Sequence, residues 1–552
     1  MRSLRVFCLT LLLEVCMWTR AELFTAISDV EPLLETHKRI IDDLDFYIQK
    51  EQKRLMILKQ HLDLYKEEHE RAMEDIPNYL GNPINAFTLI KRLTTDLDLI
   101  EDSIKIGTEY IKNITINHED VKYPTLEDLT GAAQALTRLQ VTYNLNVRDL
   151  SEGMLNGVSY SDRTSMTASD CYELGRALYN EKDYENSLSW MKEALRKYKN
   201  ENKRYQFTEA DILEYIGFSY YLKGDAKTAI EWTKKLLAID PKHPRAKGNI
   251  PHYQKALADQ AADLKKKQRG DTGEETQDEE RKKKLSAYEK ERRTYEALCR
   301  GEMVIPQEIA KRLKCWYLTE NHPFLKLAPI KVEQSYITPD VFIFHEVLSD
   351  SEIEHIKAMA KPRFKRAVVH DPRTGELVPA HYRIGKSAWL RDDEADVIAR
   401  VSRRVSDMTG LSMDFAEELQ VVNYGIGGHY EPHYDFARKK EHAFDKVSGN
   451  RIATVLFYMS EVAQGGATVF TELGLSLFPV KRAAAFWLNL HPSGEGDLAT
   501  RHAACPVLRG SKWVSNKWIH QGGQELLKPC NLEYQEEGIV RKIPRPIPKS
   551  SR

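Results

Sequence analysis

Between residues 24 and about 75, apolar positions recur in alternating steps of three and four: Leu34, Ile41, Leu44, Ile48, Leu55, Leu58, Leu62 and Tyr65. This spacing predicts one long helix whose apolar seam faces another helix, within the chain or in a second copy of it. His37 and Glu51 interrupt the seam, and "GNPIN" at 81–85 breaks the pattern. From 166 to 250 the pattern changes to two helix-turn-helix copies. The second runs through Gly217, Tyr220, Gly224, Ala229 and Pro241, and the first carries Leu174, Gly175 and Ala194. Small, aromatic and proline positions in this order match a tetratricopeptide repeat, with an insertion around "KYKNENKRYQ". Two copies make a module rather than a free-standing array. Residues 256–290 are densely charged and predict a solvated linker or an exposed helix. After 337 the texture becomes short runs such as "ELQVVNY", "RIATVLFYM", "ATVFTEL", "AAAFWLNL" and "KWVSNKWIH". Valine, aromatics and threonine between Gly and Pro clusters predict a β-sandwich or barrel, with "DSEIEHIKAMA" and "EADVIARVSRRVSDMTG" as helices covering it.

Tyr172, Tyr179, Tyr184, Tyr215, Tyr220, Tyr221 and Tyr253 exceed what the repeat's core positions need. Aromatic faces in that number predict a groove for an extended, proline-rich peptide. With 552 residues the chain has room for three or four domains, and a net charge of −1 gives no reason to expect nucleic acid. Arg2 and Arg5 ahead of an apolar run ending at Leu13, with Ala21 at a cleavage position, predict a signal peptide over 1–21. No run reaches the roughly 20 apolar residues of a membrane span. A secretory route allows disulfides. Beyond the signal stand Cys171, Cys299, Cys315, Cys505 and Cys530, and proximity suggests Cys299–Cys315 and Cys505–Cys530, leaving Cys171 free. Asn113 heads an N-glycosylation sequon. The chain ends "PKSSR" without a retention tetrapeptide, so retention would come from a partner.

The stretch "GGHYEPHYDFA" at 427–437 concentrates the candidate chemistry. Pro432 and the glycines exclude a metal-binding helix through His429 and His433. In an extended segment beginning at Pro432, His433 and Asp435 share a side, which leaves His429 outside the set. An imidazole and a carboxylate are two thirds of a 2-His-1-carboxylate site, the donor set of non-haem Fe(II). His502 is the best third ligand, with His491 and His520 as competitors, and Lys512 beyond it is a cation suited to a carboxylate-bearing cosubstrate.

"HYEPHYDFA", "GNRIATVLFYMS", "GGATVF", "RHAACPVL", "KWVSNKWIH" and "YRIGKSAWL" together resemble the catalytic domain of the 2-oxoglutarate-dependent prolyl 4-hydroxylases. The order of segments along the whole chain resembles the α subunits of the animal collagen prolyl 4-hydroxylases. The resemblance implies a multidomain protein: an α-helical N-terminal dimerisation domain (22–150), a TPR-like peptide-binding domain (160–255), a charged linker (256–290) and a connecting segment (291–336). A double-stranded β-helix (jelly-roll) oxygenase domain with flanking helices (337–530) and a tail (531–552) would follow. His433, Asp435 and His502 match the family's iron ligands, and Lys512 its cosubstrate-pairing base. Tyr424 and Thr468 match cosubstrate contacts. Tyr430, Arg451 and Trp518 match the substrate lining, and Tyr215, Arg245 and Asn249 the peptide contacts. Phe218 and His252 stand where tyrosines are expected, which removes two hydroxyl donors. The implied activity is proline 4-hydroxylation in X-Pro-Gly repeats with Fe(II), 2-oxoglutarate, O2 and L-ascorbate. The implied setting is the endoplasmic reticulum lumen, in an α2β2 tetramer with protein disulfide isomerase. An oxygenase acting on another residue, and a peptide-binding adaptor with an inactive oxygenase domain, are the competing readings.

Overall fold

A computed structural model describes residues 27–105, 126–161, 164–268, 276–370, 377–425, 427–438, 444 and 447–530. The expected signal peptide, Asn113 and the 531–552 tail lie outside these residues. The chain folds as two units, 1–74 with 96–122, and 75–95 with 123–552. The first contains the predicted long helix, Ile27–Glu74. Its seam residues Ile48, Leu55 and Leu62 are exposed on this chain.

In the second unit, helices Pro83–Arg92 and Leu126–Thr142 share one apolar core with two helical hairpins, Ala168–Asn180/Tyr184–Asn200 and Glu209–Leu222/Ala226–Ile239. Packing therefore does not divide at residue 150. The hairpin starts are set locally. Thr167 with Asp170, and Thr208 with Asp211, each close a capping box that satisfies orphan N–H groups. Gly217 is required by close approach, since a Cβ there would meet Thr233 Oγ1 at 2.9 Å. The expected insertion is the loop between Asn200 and Glu209. The charged stretch is helical within the described residues, in Pro244–Gln268 and Thr276–Cys299.

The strand-rich part is two main sheets face to face, with two further two-stranded ribbons. Nine strands, in the spatial order 315–318, 330–336, 341–345, 484–488, 451–458, 512–520, 419–424, 386–390 and 365–366, form the larger. Five form the smaller, in the order 475–477, 468–470, 502–504, 429–433 and 383–384. Helices Asp350–Ala360 and Asp396–Thr409 cover the outer face of the larger sheet over Val421, Val455 and Phe486. Its inner face, with Val422, Leu456, Trp487 and Val514, meets the smaller sheet. The large sheet begins at Cys315, ahead of the expected 337, because Cys315–Leu318 and Ile330–Tyr336 add its edge by antiparallel pairing.

The disulfide expectation is corrected. Cys299, at the end of helix Thr276–Cys299, bonds Cys505 with their Cα atoms 5.5 Å apart. Cys315 and Cys530 are free and exposed, and Cys171 is free and buried. Proximity along the chain misleads here because the helix returns across the smaller sheet: Ser476 Oγ donates to Leu298 O and Tyr295 OH to Ala504 O.

Candidate active site

The segment "HYEPH" forms strand His429–His433, so the regular strand starts before Pro432, contrary to the expectation. Pro432 lies instead at a bulge. Tyr430 pairs Ala504 and His433 pairs His502, so two residues between these pairs on one strand stand against one on the other. One extra residue turns the following side chain to the opposite face. His433 therefore shares a face with Tyr430, whose ring stacks on it at 3.4 Å between centroids. His429 points to the other side, where Arg138, Tyr295 and Glu431 help to line a cavity of about 340 Å³. It is buried, and desolvation, with Arg138 nearby, lowers its pKa to about 2. The strand ends at His433, and Asp435 follows in a bend.

Antiparallel register sets His433 directly opposite His502, with ring centroids 4.3 Å apart. Asp435 Oδ1 lies 3.6 Å from His433 Nε2 and Oδ2 lies 3.6 Å from His502 Nε2. The three candidate donor atoms fall within 4.8 Å of one another, the one such cluster of three or more among the described residues. His433 Nδ1 is 2.8 Å from Glu431 O, and His502 Nδ1 is 2.9 Å from Thr500 O. A carbonyl can only accept, so each Nδ1 carries its proton and Nε2 is the atom each ring offers inward to a metal. Burial would raise the Asp435 carboxyl, but His502, His433 and Arg451 outweigh it and hold it at about 2. A carboxylate and two imidazoles that turn Nε2 inward fit a divalent iron. The competitors point elsewhere: His520 bonds Glu417 and Gly449 O, and His491 lies 3.8 Å from Asp497.

Lys512, Tyr424 and Thr468 are buried in the same interior. Lys512 pairs Tyr424 across the strands, and its Nζ lies 5.7 Å from the Tyr424 ring and 5.9 Å from that of Tyr458. Tyr458 OH donates to Thr468 Oγ1 at 3.0 Å. Among the described residues no carboxylate pairs with Lys512, and burial alone lowers its pKa to about 7. A buried cation without an anion is costly, so this chamber fits the carboxylate of a bound cosubstrate.

At the mouth, Arg451 pairs with Glu417, donates to Asp435 O at 3.3 Å and lies 4.0 Å over the Trp518 ring. In the helical part, Tyr215 meets the edges of Tyr172 and Tyr179, and Tyr221 stacks on Tyr253. Phe218 and His252 join the same ring series beside Tyr221. Arg245 is exposed and bonds Glu214 at 2.8 Å, and Asn249 is half-buried on helix Pro244–Gln268.

Residues without a motif also hold the site. Arg138 Nη1 donates to Gly427 O at 2.8 Å, ahead of the His433 strand. Tyr143 OH donates to Pro506 O at 2.6 Å, beyond the His502 strand. Gly427 has φ +57, and a Cβ there would meet Ala135 O at 2.8 Å. Helix Leu126–Thr142 and the residue after it thus brace both ligand strands. No local pattern in the sequence signals this, because each contact joins residues hundreds of positions apart.

Three family descriptions match the chain: "Prolyl 4-Hydroxylase alpha-subunit, N-terminal region" over residues 26–157, "Prolyl 4-hydroxylase peptide-substrate-binding domain" over 168–259, and "2OG-Fe(II) oxygenase superfamily" over 419–520. Prolyl 4-hydroxylase subunit alpha-2 of Caenorhabditis elegans is 48% identical over 522 residues, covering 93% of this chain and 94% of that one. Subunit alpha-1 of Gallus gallus is 45% identical over 523 residues, covering 93% and 100%, and that of Homo sapiens 44% over 519, covering 93% and 96%. With an identity of this size along nearly the whole chain and a His-Asp-His iron-binding triad in the oxygenase domain, the protein belongs to the prolyl 4-hydroxylase α-subunit family.

Proposed function

We propose that this chain is the catalytic α subunit that hydroxylates proline at C4 in X-Pro-Gly repeats of collagen-like chains. Fe(II), with 2-oxoglutarate and O2, supplies the oxidising chemistry, and L-ascorbate keeps the metal reduced. The observation that carries the reading is a His-Asp-His triad, with Asp435 and His502 buried, in the same interior as a buried lysine that has no carboxylate partner among the described residues. His433, Asp435 and His502 hold the metal, and the carbonyls of Glu431 and Thr500 fix both imidazole tautomers. Lys512 receives the distal carboxylate of 2-oxoglutarate, with Tyr424 and Thr468 as neighbours that hydrogen-bond it. Tyr430, Arg451 and Trp518 line the approach of the proline ring. Burial of Asp435, His502, Lys512, Tyr424 and Thr468 excludes water and strengthens each electrostatic contact.

The module over 160–255 holds the rest of the substrate. Tyr215, Arg245 and Asn249 contact an extended proline-rich segment, and the ring series through Phe218 and Tyr221 offers faces to its prolines. Prolines preset in the polyproline II form lose little entropy on docking.

The proposed setting is the lumen of the endoplasmic reticulum, after removal of residues 1–21 and with Asn113 glycosylated. Among the described residues no helix is long and apolar enough to cross a membrane. The exposed seam on Ile27–Glu74 suits pairing with a second α chain. Protein disulfide isomerase would complete an α2β2 tetramer and supply the retention signal.

The test is direct. Purified with its partner, Fe(II), ascorbate and a (Pro-Pro-Gly)n peptide, the protein should consume 2-oxoglutarate and yield 4-hydroxyproline in step. Decarboxylation without hydroxyproline sinks the reading in favour of another substrate residue. Peptide binding indifferent to His433→Ala, with no turnover at all, favours an adaptor.

A further inference from the structure

Strand Arg451–Tyr458 runs through the centre of the larger sheet, and its Thr454 faces Trp487 on one neighbour and Trp518 on the other. Paired residues on adjacent strands share a face, so all three point toward the triad. Thr454 Oγ1 donates to Asp435 Oδ2 at 2.7 Å. Asn489 Nδ2 donates to the same hydroxyl at 2.9 Å, and Asn489 Oδ1 accepts from Trp487 Nε1 at 2.8 Å. Thr454, Asn489 and Trp487 are buried to 1%, 0% and 1% exposure.

The direction of this chain of bonds follows from its far end. An indole N–H can only donate, so the Asn489 carbonyl must face Trp487 and its amide must face Thr454. The amide occupies a lone pair of the hydroxyl, so the hydroxyl proton is left for Asp435. Reversing any member would strand a buried polar group at a cost of about 1–3 kcal/mol. The Trp487 ring also lies against His502, with centroids 4.8 Å apart at 64°. One tryptophan therefore bears on two members of the triad, through hydrogen bonds to Asp435 and by contact with His502.

We propose that Thr454 is a positioning residue for Asp435, oriented by Asn489 and Trp487, and that this relay sets the rotation of the carboxylate before metal arrives. It rests on the reading of Asp435 as a metal ligand. Its role is distinct from Lys512, which meets the cosubstrate, and from Arg451, which adds charge near Asp435 but hydrogen-bonds only its backbone carbonyl.

The experiment titrates the full-length assembly with Co(II), following the visible d–d absorption band. Asp435→Ala should lose the site, which tests the ligand reading by itself. Thr454→Val keeps shape but removes the hydroxyl, and should weaken Co(II) binding by about 10–100-fold with a shifted band. Thr454→Ser should restore both affinity and band position. Trp487→Phe, which keeps a ring against His502, should weaken binding by roughly three- to tenfold; it also stands in if the valine variant fails to fold. Parent-like Co(II) affinity and spectrum in Thr454→Val, or in Trp487→Phe if the valine variant does not fold, with Asp435→Ala inactive in binding, overturns the relay and leaves the ligand reading intact. Parent-like binding in Asp435→Ala overturns both.

Discussion

At the metal site each ligating imidazole has its Nδ1 proton committed to a backbone carbonyl, and Asp435 is bonded to Thr454. In the peptide module the rings of Tyr172, Tyr179, Tyr215, Phe218, Tyr221 and Tyr253 meet mainly by faces and edges. The phenol of Tyr179 is pushed up to about 12 by burial and nearby Tyr184 and Tyr215, so it stays neutral at physiological pH. Catalysis needs donors fixed in direction, because misplacement of a reacting atom by about 1 Å costs on the order of a hundredfold. Holding a repetitive chain needs area and tolerance of sliding, which ring faces supply. On the proposed reading, one chain recognises its substrate loosely over a series of ring faces and acts on it rigidly at a single centre.

The largest expected break in this division is His502→Ala. It should abolish Fe(II) binding and hydroxylation while retention on immobilised (Pro-Pro-Gly)n stays at the parent level. A parallel loss of retention would show that the two regions are not separable. Next is Lys512→Met, which removes the buried cation. The KM for 2-oxoglutarate should rise about 10–100-fold, as for loss of a charged hydrogen bond.

Lys512 also predicts a pH dependence. Burial depresses its pKa to about 7, so the cation is present below that pH and lost above it. Binding of 2-oxoglutarate above that pH must then take up a proton, and affinity should fall by up to about tenfold per pH unit. Lys512→Arg, charged throughout, should flatten the slope. A slope unchanged by that substitution assigns the titration to another group.

Smaller is Tyr215→Ala in the groove. It removes two edge contacts, and the KM for a long peptide should rise roughly three- to tenfold with kcat nearly kept. A change in kcat instead would place Tyr215 in communication with the metal centre. Smallest is Tyr143→Phe, which deletes one hydrogen bond to Pro506 O outside the triad. It should cost about 0.5–1.5 kcal/mol in thermal unfolding, with activity kept below the transition.

Much of this was legible in residue order. Steps of three and four located the long helix, and valine-rich runs located the central strands. His433, Asp435, His502 and Lys512 were legible because a donor set needs particular side chains, and few other histidines stood in strand-like context. The bulge at Pro432 was not legible. A proline at a strand start and a proline inside a bulged strand look alike until a partner strand sets the register. The disulfide was misread for a related reason, since nearness along the chain is a poor guide once helix Thr276–Cys299 crosses the smaller sheet. Thr454, Asn489, Arg138 and Tyr143 carried no signal, being ordinary residues in ordinary positions.

The sequence by itself therefore determined which side chains are available for metal, cosubstrate and peptide, and the periodicities that place them on helices or strands. These are local properties, encoded by spacing and by the hydrogen-bonding nature of each residue. Only the tertiary structure decided which face each candidate occupies. Register set His433 opposite His502, and the bulge sent His429 away from them. Packing also enclosed Lys512 with no carboxylate beside it among the described residues, and set Thr454 under Asp435. Pairing, burial and the direction of a buried hydrogen bond depend on what lies across the interior, and no window of neighbouring residues contains that information.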